Sequence, residues 1–361
     1  MRGRIVALLE DPDWPAMAAL VDGGRLIDLR LDAPEQDATP RLEAVHRARV
    51  TRKAPNIGAV FLDLGDGLEG FLKGGKHLSP GDRPLVQIAR FAEGGKAVPV
   101  TDEPLFKGRY AILTPHAPGV NVSRRIKDEA ERDRLQALAV GALAEAGLAA
   151  AGPEEETAPG AIVRSAAEDV EADAVAEDVA SLAALWAEAQ DGGDAPGLRV
   201  DGPDAEVLAW RDWTDPEPEQ VLRGDARLWD DLGLLDQVEA LSTPRAALPG
   251  GGFVLVEPTS ALVAVDVNTG GDLSPAAGLK ANLAAAEALP RQLLLRGLGG
   301  QIVLDLAPMG KRERPKFEAA LKKALRADPV DTQVVGWTPL GHLELTRRRE
   351  RRPLAELLPK R

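Results

Sequence analysis

Cysteine is missing from this chain altogether. That excludes disulfides, Cys-based zinc sites and thiol catalysis, and no zinc is expected. Histidine is nearly as scarce, with four residues in 361, so a His-rich metal site is not expected either. Aromatic residues make up 4% of a chain that is 44% hydrophobic, so the cores available to it are sizeable but mostly aliphatic. No run of about 18 apolar residues occurs, so a membrane-spanning helix is not expected. The apolar stretch inside MRGRIVALLEDPDW is too short for a signal peptide, and the expectation is a cytoplasmic protein with no membrane partner. Positive charge is in deficit overall. The net charge is −13, which argues against generic nucleic-acid binding through a basic body. The charge is uneven, however. Acidic residues crowd Glu154-Glu155-Glu156 and the segment from Glu168 to Asp178. Basic residues crowd Arg124-Arg125-Ile126-Lys127 and the tail Arg347-Arg348-Arg349-Glu350-Arg351-Arg352, so a local cationic path stays compatible with RNA. The tail reads equally as an RNA contact or a solvated helix face. The length exceeds one ordinary core and predicts two or three domains.

What is present is most informative between Gly250 and Met309. Leu262-Val263-Ala264-Val265 leads into Asp266-Val267-Asn268, and Ile302-Val303-Leu304 leads into Asp305. Each is an apolar run that suits a strand covered on both faces, and one crossover helix lies between them. If the strands are parallel neighbours, both aspartates emerge at the same carboxyl edge, where open α/β sheets keep their ligands. Two carboxylates converging there repel by roughly 4 kcal/mol at about 4 Å and an effective dielectric of 20. A hard divalent cation removes that penalty, so the pair predicts Mg²⁺.

Taken in order, the chain begins with strands at Ile5–Leu8, Met17–Val21 and Leu26–Leu29, and a polar linker follows over 33–41. Residues 42–105 read as short strands between Gly-rich turns: His46–Lys53, Ala59–Leu64, Gly70–Leu72, Pro84–Phe91 and Ala97–Thr101. That spacing predicts a small five-stranded barrel of the OB kind. Phe61 and Phe71 fall on the two arms of a hairpin turning at Gly65-Asp66-Gly67. An isolated pair of this sort is more often core than a base-stacking platform. Further on come a strand at Tyr110–Leu113, a helix from Glu129 to Leu148, a strand at Ala161–Arg164 and an Ala/Glu-rich helix over 166–190. Residues 198–250 alternate apolar runs with acidic helical turns, with Trp210, Trp213 and Trp229 as anchors along with Trp186. Asp272-Leu273-Ser274-Pro275 reads as a helix start with Ser at the cap and Pro at the first position. Leu279, Leu283, Ala286 and Leu293 then share a face, and Pro290 predicts a kink or two joined helices. Lys316–Ala327 reads as an amphipathic helix and Thr332–Trp337 as a strand.

Four stretches together resemble the catalytic half of the ribonuclease E/G family: NIGAVFLDLGDGLEGFL at 56–72, GVNVSRRI at 119–126, ALVAVDVN at 261–268 and NLAAAEALPRQLLLRGLGGQIVLDLAPM at 282–309. The resemblance covers nearly the whole chain. It implies an α/β protein of several subdomains: an RNase H-like part (1–37 and 186–239) with an inserted S1-type OB barrel (38–115) and a 5′-end sensor region (116–185), followed by a DNase I-like catalytic subdomain (240–361).

The resemblance also implies sites. Asp266 and Asp305 match the two magnesium-binding aspartates and Asn268 the asparagine beside the first. Phe61 and Phe71 match RNA-stacking aromatics, and Lys96 a lysine near the RNA path. Arg164 and Ser165 match an Arg-Thr pair that grips a 5′-monophosphate, and Gly108 a glycine whose backbone lines the same pocket. A guanidinium beside a hydroxyl is a sound phosphate cradle on physical grounds as well. The chain departs from the family in three ways. The Cys-x-x-Cys zinc link after the catalytic subdomain is missing, and the chain stops soon after the arginine tail, so it reads as a short form without the small C-terminal domain. A monomer or a dimer not made through zinc stays open. The segment after Asn268 is shorter than in the longer enzymes. Pro308 stands where relatives usually carry a second acid. The implied function is a Mg²⁺-dependent endoribonuclease that cleaves single-stranded RNA in RNA processing, rRNA processing or decay, favouring 5′-monophosphorylated substrates. The alternative is an RNA-binding regulator of the same fold with little cleavage, and a third class is an α/β enzyme for a small phosphorylated substrate.

Overall fold

Three apolar segments at the start of the chain pair as an antiparallel meander: β1 (Arg4–Leu9), β2 (Met17–Asp22) and β3 (Arg25–Leu31). The structure is a computed structural model that describes residues 3–34, 36–92, 95–148 and 158–358, so the acidic cluster Glu154-Glu155-Glu156 lies outside the described residues. The fold is mixed α/β. The chain clusters into two units, one of residues 37–218 and one of residues 1–36 with 219–361.

The unit of residues 37–218 holds two sheets. The first contains β4 (Val45–Arg47), β5 (Arg49–Ala54), β6 (Ala59–Asp63), β7 (Glu69–Lys73), β8 (Leu85–Ile88) and β9 (Val98–Thr101). Only Ala48 separates β4 from β5. β4 pairs with β8, β5 pairs with β6, and β7 runs parallel to β9, so the sheet curls back on its own first strand. Alternation supplies the interior: Val50, Val60, Leu62, Leu72, Val86, Ile88, Val98 and Val100 point inward. The second sheet is built from β10 (Phe106–Lys107), β11 (Ala111–Thr114), β12 (Val120–Val122) and, beyond α1 (Glu129–Glu145), β13 (Gly160–Val163). Then follow α2 (Ala172–Gln190), β14 (Gly197–Val200), which joins the curled sheet beside β4, and α3 (Ala205–Asp212). α1 and α3 start where the Asp128 and Asp204 carboxylates accept the Glu131 and Val207 backbone N–H groups, caps worth about 1 kcal/mol each. Residues 186–218 stay with this unit.

The other unit resumes with β15 (Gln220–Gly224), which pairs in parallel with β1. α4 (Ala226–Asp231) and α5 (Leu234–Leu241) cover that sheet, with Trp229 at its centre. A six-stranded sheet follows: β16 (Arg245–Ala247), β17 (Phe253–Pro258), β18 (Val263–Asn268), then α6 (Ala277–Leu295), β19 (Gly300–Asp305), α7 (Arg314–Arg326), β20 (Thr332–Trp337), β21 (Leu343–Arg347) and the short α8 (Leu354–Leu357). Its order is β16-β17-β18-β19-β21-β20, and β18 and β19 are parallel neighbours joined through α6. Among the described residues no helix is long and apolar enough to cross a membrane.

Several expectations need correction here. β18 and β19 are not covered on both faces. Val263, Val265, Val267, Ile302 and Leu304 are buried with side chains of α6 and α7, while Ala264, Asp266, Asn268, Val303 and Asp305 on the other face are partly or fully exposed. A mixed sheet with helices on one side leaves its other face open. α6 begins at Ala277 rather than at the Ser274 cap, because Asp272 accepts the Ser274 N–H and the Ser274 carbonyl accepts the Ala277 N–H in a turn that precedes the helix. The helix runs unbroken through Pro290, whose ring is buried. Its buried stripe is Ala281, Ala285, Leu289 and Leu293, with Leu279 and Leu283 only partly covered. Trp186, Trp213 and Trp229 are anchors, but Trp210 is 58% exposed. The arginine tail is not a helix face. Arg347 ends β21 and is buried against Asp328, Thr332 and the Leu298 carbonyl, while Arg351 pairs with Asp28.

Candidate active site and nucleic-acid interface

The register of the six-stranded sheet decides what meets what. Asp266 and Asp305 are direct partners across β18 and β19. Paired residues on neighbouring strands share a face, so both carboxylates project from the open side of the sheet, one strand spacing of about 4.8 Å apart along the ladder. Asn268, two residues on, shares that face and donates from Nδ2 to Asp266 Oδ2 at 2.8 Å. The structure thus brings these three residues together on one face.

The segment after Asp305 is held by side chains that the sequence reading left unassigned. Asn282 on α6 is fully buried. Its Nδ2 donates to the Ala307 carbonyl at 2.8 Å and its Oδ1 accepts the Ala307 N–H at 3.0 Å, which replaces a missing strand partner. Beside it, a Cβ at Gly278 would overlap the Pro308 carbonyl oxygen, so only glycine lets the helix start lie this close. Pro308 itself is exposed. From the other side the turn Thr338–His342 brings His342 Nδ1 to 3.3 Å from Asp305 Oδ1. Thr338 Oγ1 accepts the His342 N–H at 3.1 Å and fixes that turn. His342 Nδ1 is buried and does not direct a hydrogen bond at the carboxylate.

The donors are hard carboxylate oxygens, which suits Mg²⁺, an ion commonly held by one or two carboxylates with water and phosphate completing its shell. Among the described residues no group of three His, Asp or Glu side chains stands close enough to hold an ion. The residues present therefore fit an ion completed by solvent and substrate, not a closed protein cage.

The same open face carries a further row. β16 pairs Arg245 with Leu255, and β17 pairs Leu255 with Asp266 and Phe253 with Asn268. Arg245 lies with its guanidinium carbon 3.4 Å above the centre of the Phe253 ring.

On the curled sheet of the other unit, Phe61 and Phe71 are direct cross-strand partners, their rings 5.5 Å apart and edge to face. Neither is in the buried interior; both project from the outside of the sheet and are partly exposed. Arg52, their neighbour on β5, places its guanidinium 3.5 Å over the Phe61 ring. Lys96 lies exposed in the loop that enters β9, whose Pro99 pairs with Phe71. Arg52 was not singled out from sequence, because a register shift between Val50 and Arg52 breaks the alternation that would reveal its face.

Gly108, Arg164 and Ser165 come together in that unit. Arg164 Nη1 donates to the Gly108 carbonyl at 2.5 Å and to the Arg211 carbonyl at 3.2 Å, and Nη2 lies 3.8 Å from Asp212. Burial pushes its guanidinium pKa below the ordinary value, against the pull of Asp212. Ser165 opens the 3₁₀ turn that follows. Asp178 on α2 accepts N–H bonds from Arg109, Tyr110 and Ala111 at 3.2, 2.9 and 2.9 Å and sits where a Cβ at Gly108 would go. Trp210, at the rim, carries the buried Arg109 guanidinium 3.9 Å from its ring centre.

A sequence model of the ribonuclease E/G family matches residues 106–225 and 205–350. The chain is 31% identical over 358 aligned positions to ribonuclease E of Synechocystis sp., covering 84% of this chain and 51% of that protein. It is 31% identical over 319 positions to ribonuclease E of Nostoc sp., covering 78% and 45%. With ribonuclease G of Escherichia coli (strain K12) it shares 26% identity over 401 positions, covering 94% and 79%. The chain thus spans about half the length of the ribonuclease E relatives it matches.

Proposed function

The chain belongs to the ribonuclease E/G family, and from that premise we propose that it is a Mg²⁺-dependent endoribonuclease acting on single-stranded RNA, with a preference for 5′-monophosphorylated ends. The observation that carries the reading is the in-register pair Asp266 and Asp305 on an open sheet face, with Asn268 beside the first. Asp266 and Asp305 would hold Mg²⁺, which would supply polarisation of the scissile phosphate and a lowered pKa for a bound water. Asn268 fixes the Asp266 carboxylate by donating from Nδ2 to its Oδ2. Asn282 and Gly278 keep the segment after Asp305 in place, so the second carboxylate keeps its register with the first. Hydrolysis adds water oxygen to phosphorus and breaks the bond to the 3′-oxygen, giving a 5′-phosphate and a 3′-hydroxyl.

We assign the curled sheet to an S1-type OB barrel that stacks RNA bases on Phe61 and Phe71, with Lys96 on the backbone path. Base stacking on an aromatic ring is worth about 1–3 kcal/mol. Arg164 and Ser165, with the Gly108 backbone, form the 5′-monophosphate pocket. β1–β3 with β15, α4 and α5 form the RNase H-like part, and the six-stranded sheet forms the DNase I-like part.

The test is a 5′-monophosphorylated, AU-rich oligonucleotide incubated with purified protein and Mg²⁺. Asp266→Asn and Asp305→Asn should each lower cleavage roughly hundredfold or more, with circular dichroism unchanged. Undiminished cleavage by either variant would sink the site. Arg164→Ala should reduce the preference for monophosphate over hydroxyl ends, and an unchanged ratio would refute the sensor. Pro308, in the place of an acid, favours one second reading, a binding regulator. Tight RNA binding without cleavage by the wild type would select it.

A further inference from the structure

We propose that Arg245, braced on Phe253, holds the RNA backbone phosphate adjacent to the scissile one. The inference rests on the ribonuclease reading of Asp266 and Asp305 and adds a phosphate subsite to that face.

The placement follows from register alone. Arg245, Leu255, Asp266 and Asp305 are successive partners across β16, β17, β18 and β19, so they form one row on the open face. Phe253 and Asn268 form the next row. Strands stand about 4.8 Å apart, which puts the Arg245 backbone about 10 Å from Asp266. The guanidinium does not extend away from the site. It lies over Phe253, the direct neighbour of Asn268, and so leans one strand toward the site, into the row of Asn268.

The chemistry suits a phosphodiester. Arg245 is exposed, and its guanidinium has no carboxylate within ion-pair distance among the described residues. Of the other guanidiniums that lie over rings, Arg52 and Arg109 have acid partners, Glu69 and Glu217, while Arg314 lies over Trp337 on β20. An uncompensated planar cation on a molecule of net charge −13 presents a fork of N–H donors that matches phosphate oxygens. Its aromatic support restricts the side chain before RNA arrives, which lowers the ordering cost of binding. Beside two acids that repel RNA until an ion neutralises them, a fixed cation one nucleotide away keeps the strand in register.

The experiment is single-turnover cleavage of the 5′-monophosphorylated oligonucleotide in Mg²⁺ by wild type, Arg245→Ala, Arg245→Lys and Phe253→Leu, over a series of salt concentrations. Arg245→Ala should raise the half-saturating protein concentration roughly three- to tenfold, with a much smaller fall in the saturating rate. The slope of log affinity against log salt should become shallower by about 0.7, the value of one released counterion on a single strand. Arg245→Lys should keep the slope while losing part of the affinity. Phe253→Leu should weaken binding at an unchanged slope. Methylphosphonates placed singly on each side of the cleaved bond should reveal one position at which wild type and Arg245→Ala bind alike. An unchanged slope in Arg245→Ala, or no such position, overturns the subsite while leaving the Asp266/Asp305 reading intact. A wild type that does not cleave removes that reading first.

Discussion

At the scale of single residues, the most consequential side chains are those whose partners lie far away in sequence. Glu43 is an example. Its backbone takes a left-handed φ of 69°, unusual for a non-glycine residue, while its carboxylate meets Arg211 at 2.7 Å and Lys107 at 2.9 Å. Burial alone would raise its pKa, but the two cations outweigh that and hold it below the ordinary 4.5. A depressed carboxylate binds fewer protons folded than unfolded, so its contribution is fully present above its unfolded value and is lost as pH falls below it. Urea denaturation of the wild type should therefore show a midpoint that declines from about pH 5 to about pH 3. Glu43→Gln should be less stable at pH 7 and flatter over that window. Equal pH slopes for the two proteins would show that Glu43 contributes nothing to acid lability. Asn282 makes the same point beside the candidate site. Nothing local marks it, yet it satisfies both backbone groups of Ala307, 25 residues away.

At the scale of elements, the packing of α6 against the end of β19 is the joint on which the Asp305 carboxylate depends. Gly278 lets the first turn of α6 touch the Pro308 carbonyl. Gly278→Ala gains helix propensity of about 1 kcal/mol in isolation, but here the methyl group has to displace backbone. The net effect should be destabilising by about 1–3 kcal/mol, read as a lower thermal midpoint, and cleavage should fall more than RNA binding. A variant as stable and active as wild type would mean that the segment after Asp305 yields without consequence. These elements also show what sequence can carry. The two strands that carry Asp266 and Asp305 were legible because an apolar run, an acid near its end and a crossover of the right length are all local signals. The start of α6 at Ala277 was not, because Ser274-Pro275 resembles a cap and only Asp272 draws it into a turn. β15 carries alternating exposure and no apolar core of its own, so nothing near it announces its pairing with β1, from Ile5 with Gln220 onward. Arg245, Phe253, Arg52 and His342 escaped for a related reason. Each acquires its role from cross-strand register or a distant turn, and their neighbours in sequence are ordinary.

At the scale of the whole molecule, the proposed RNA binding requires a chain of net charge −13 to hold a polyanion. Several cations that a charge count would assign to RNA are committed to the protein: Arg347 to Asp328, Arg351 to Asp28 and Arg211 to Glu43. Those at the proposed RNA contacts are few and local, among them Arg52, Lys96 and Arg245, while Arg124, Arg125 and Lys127 form a separate exposed cluster. Salt then acts in two opposing ways. It weakens each local phosphate contact by counterion release, and it screens the repulsion between the acidic body and the strand. The observed salt dependence should therefore be shallower than the number of contacting cations suggests. Between about 50 and 200 mM salt, a protein relying on six to ten phosphate contacts loses roughly 10³–10⁵ in affinity. This chain should lose well under 10², measured by fluorescence anisotropy with a single-stranded oligonucleotide. Replacing Phe61 and Phe71 by Ala should lower affinity by a factor that hardly varies across that range, because stacking releases no counterions. A steep salt loss in the wild type, together with an intact affinity in the double variant, would reverse the assignment and place RNA on a broad cationic surface instead of on the paired rings.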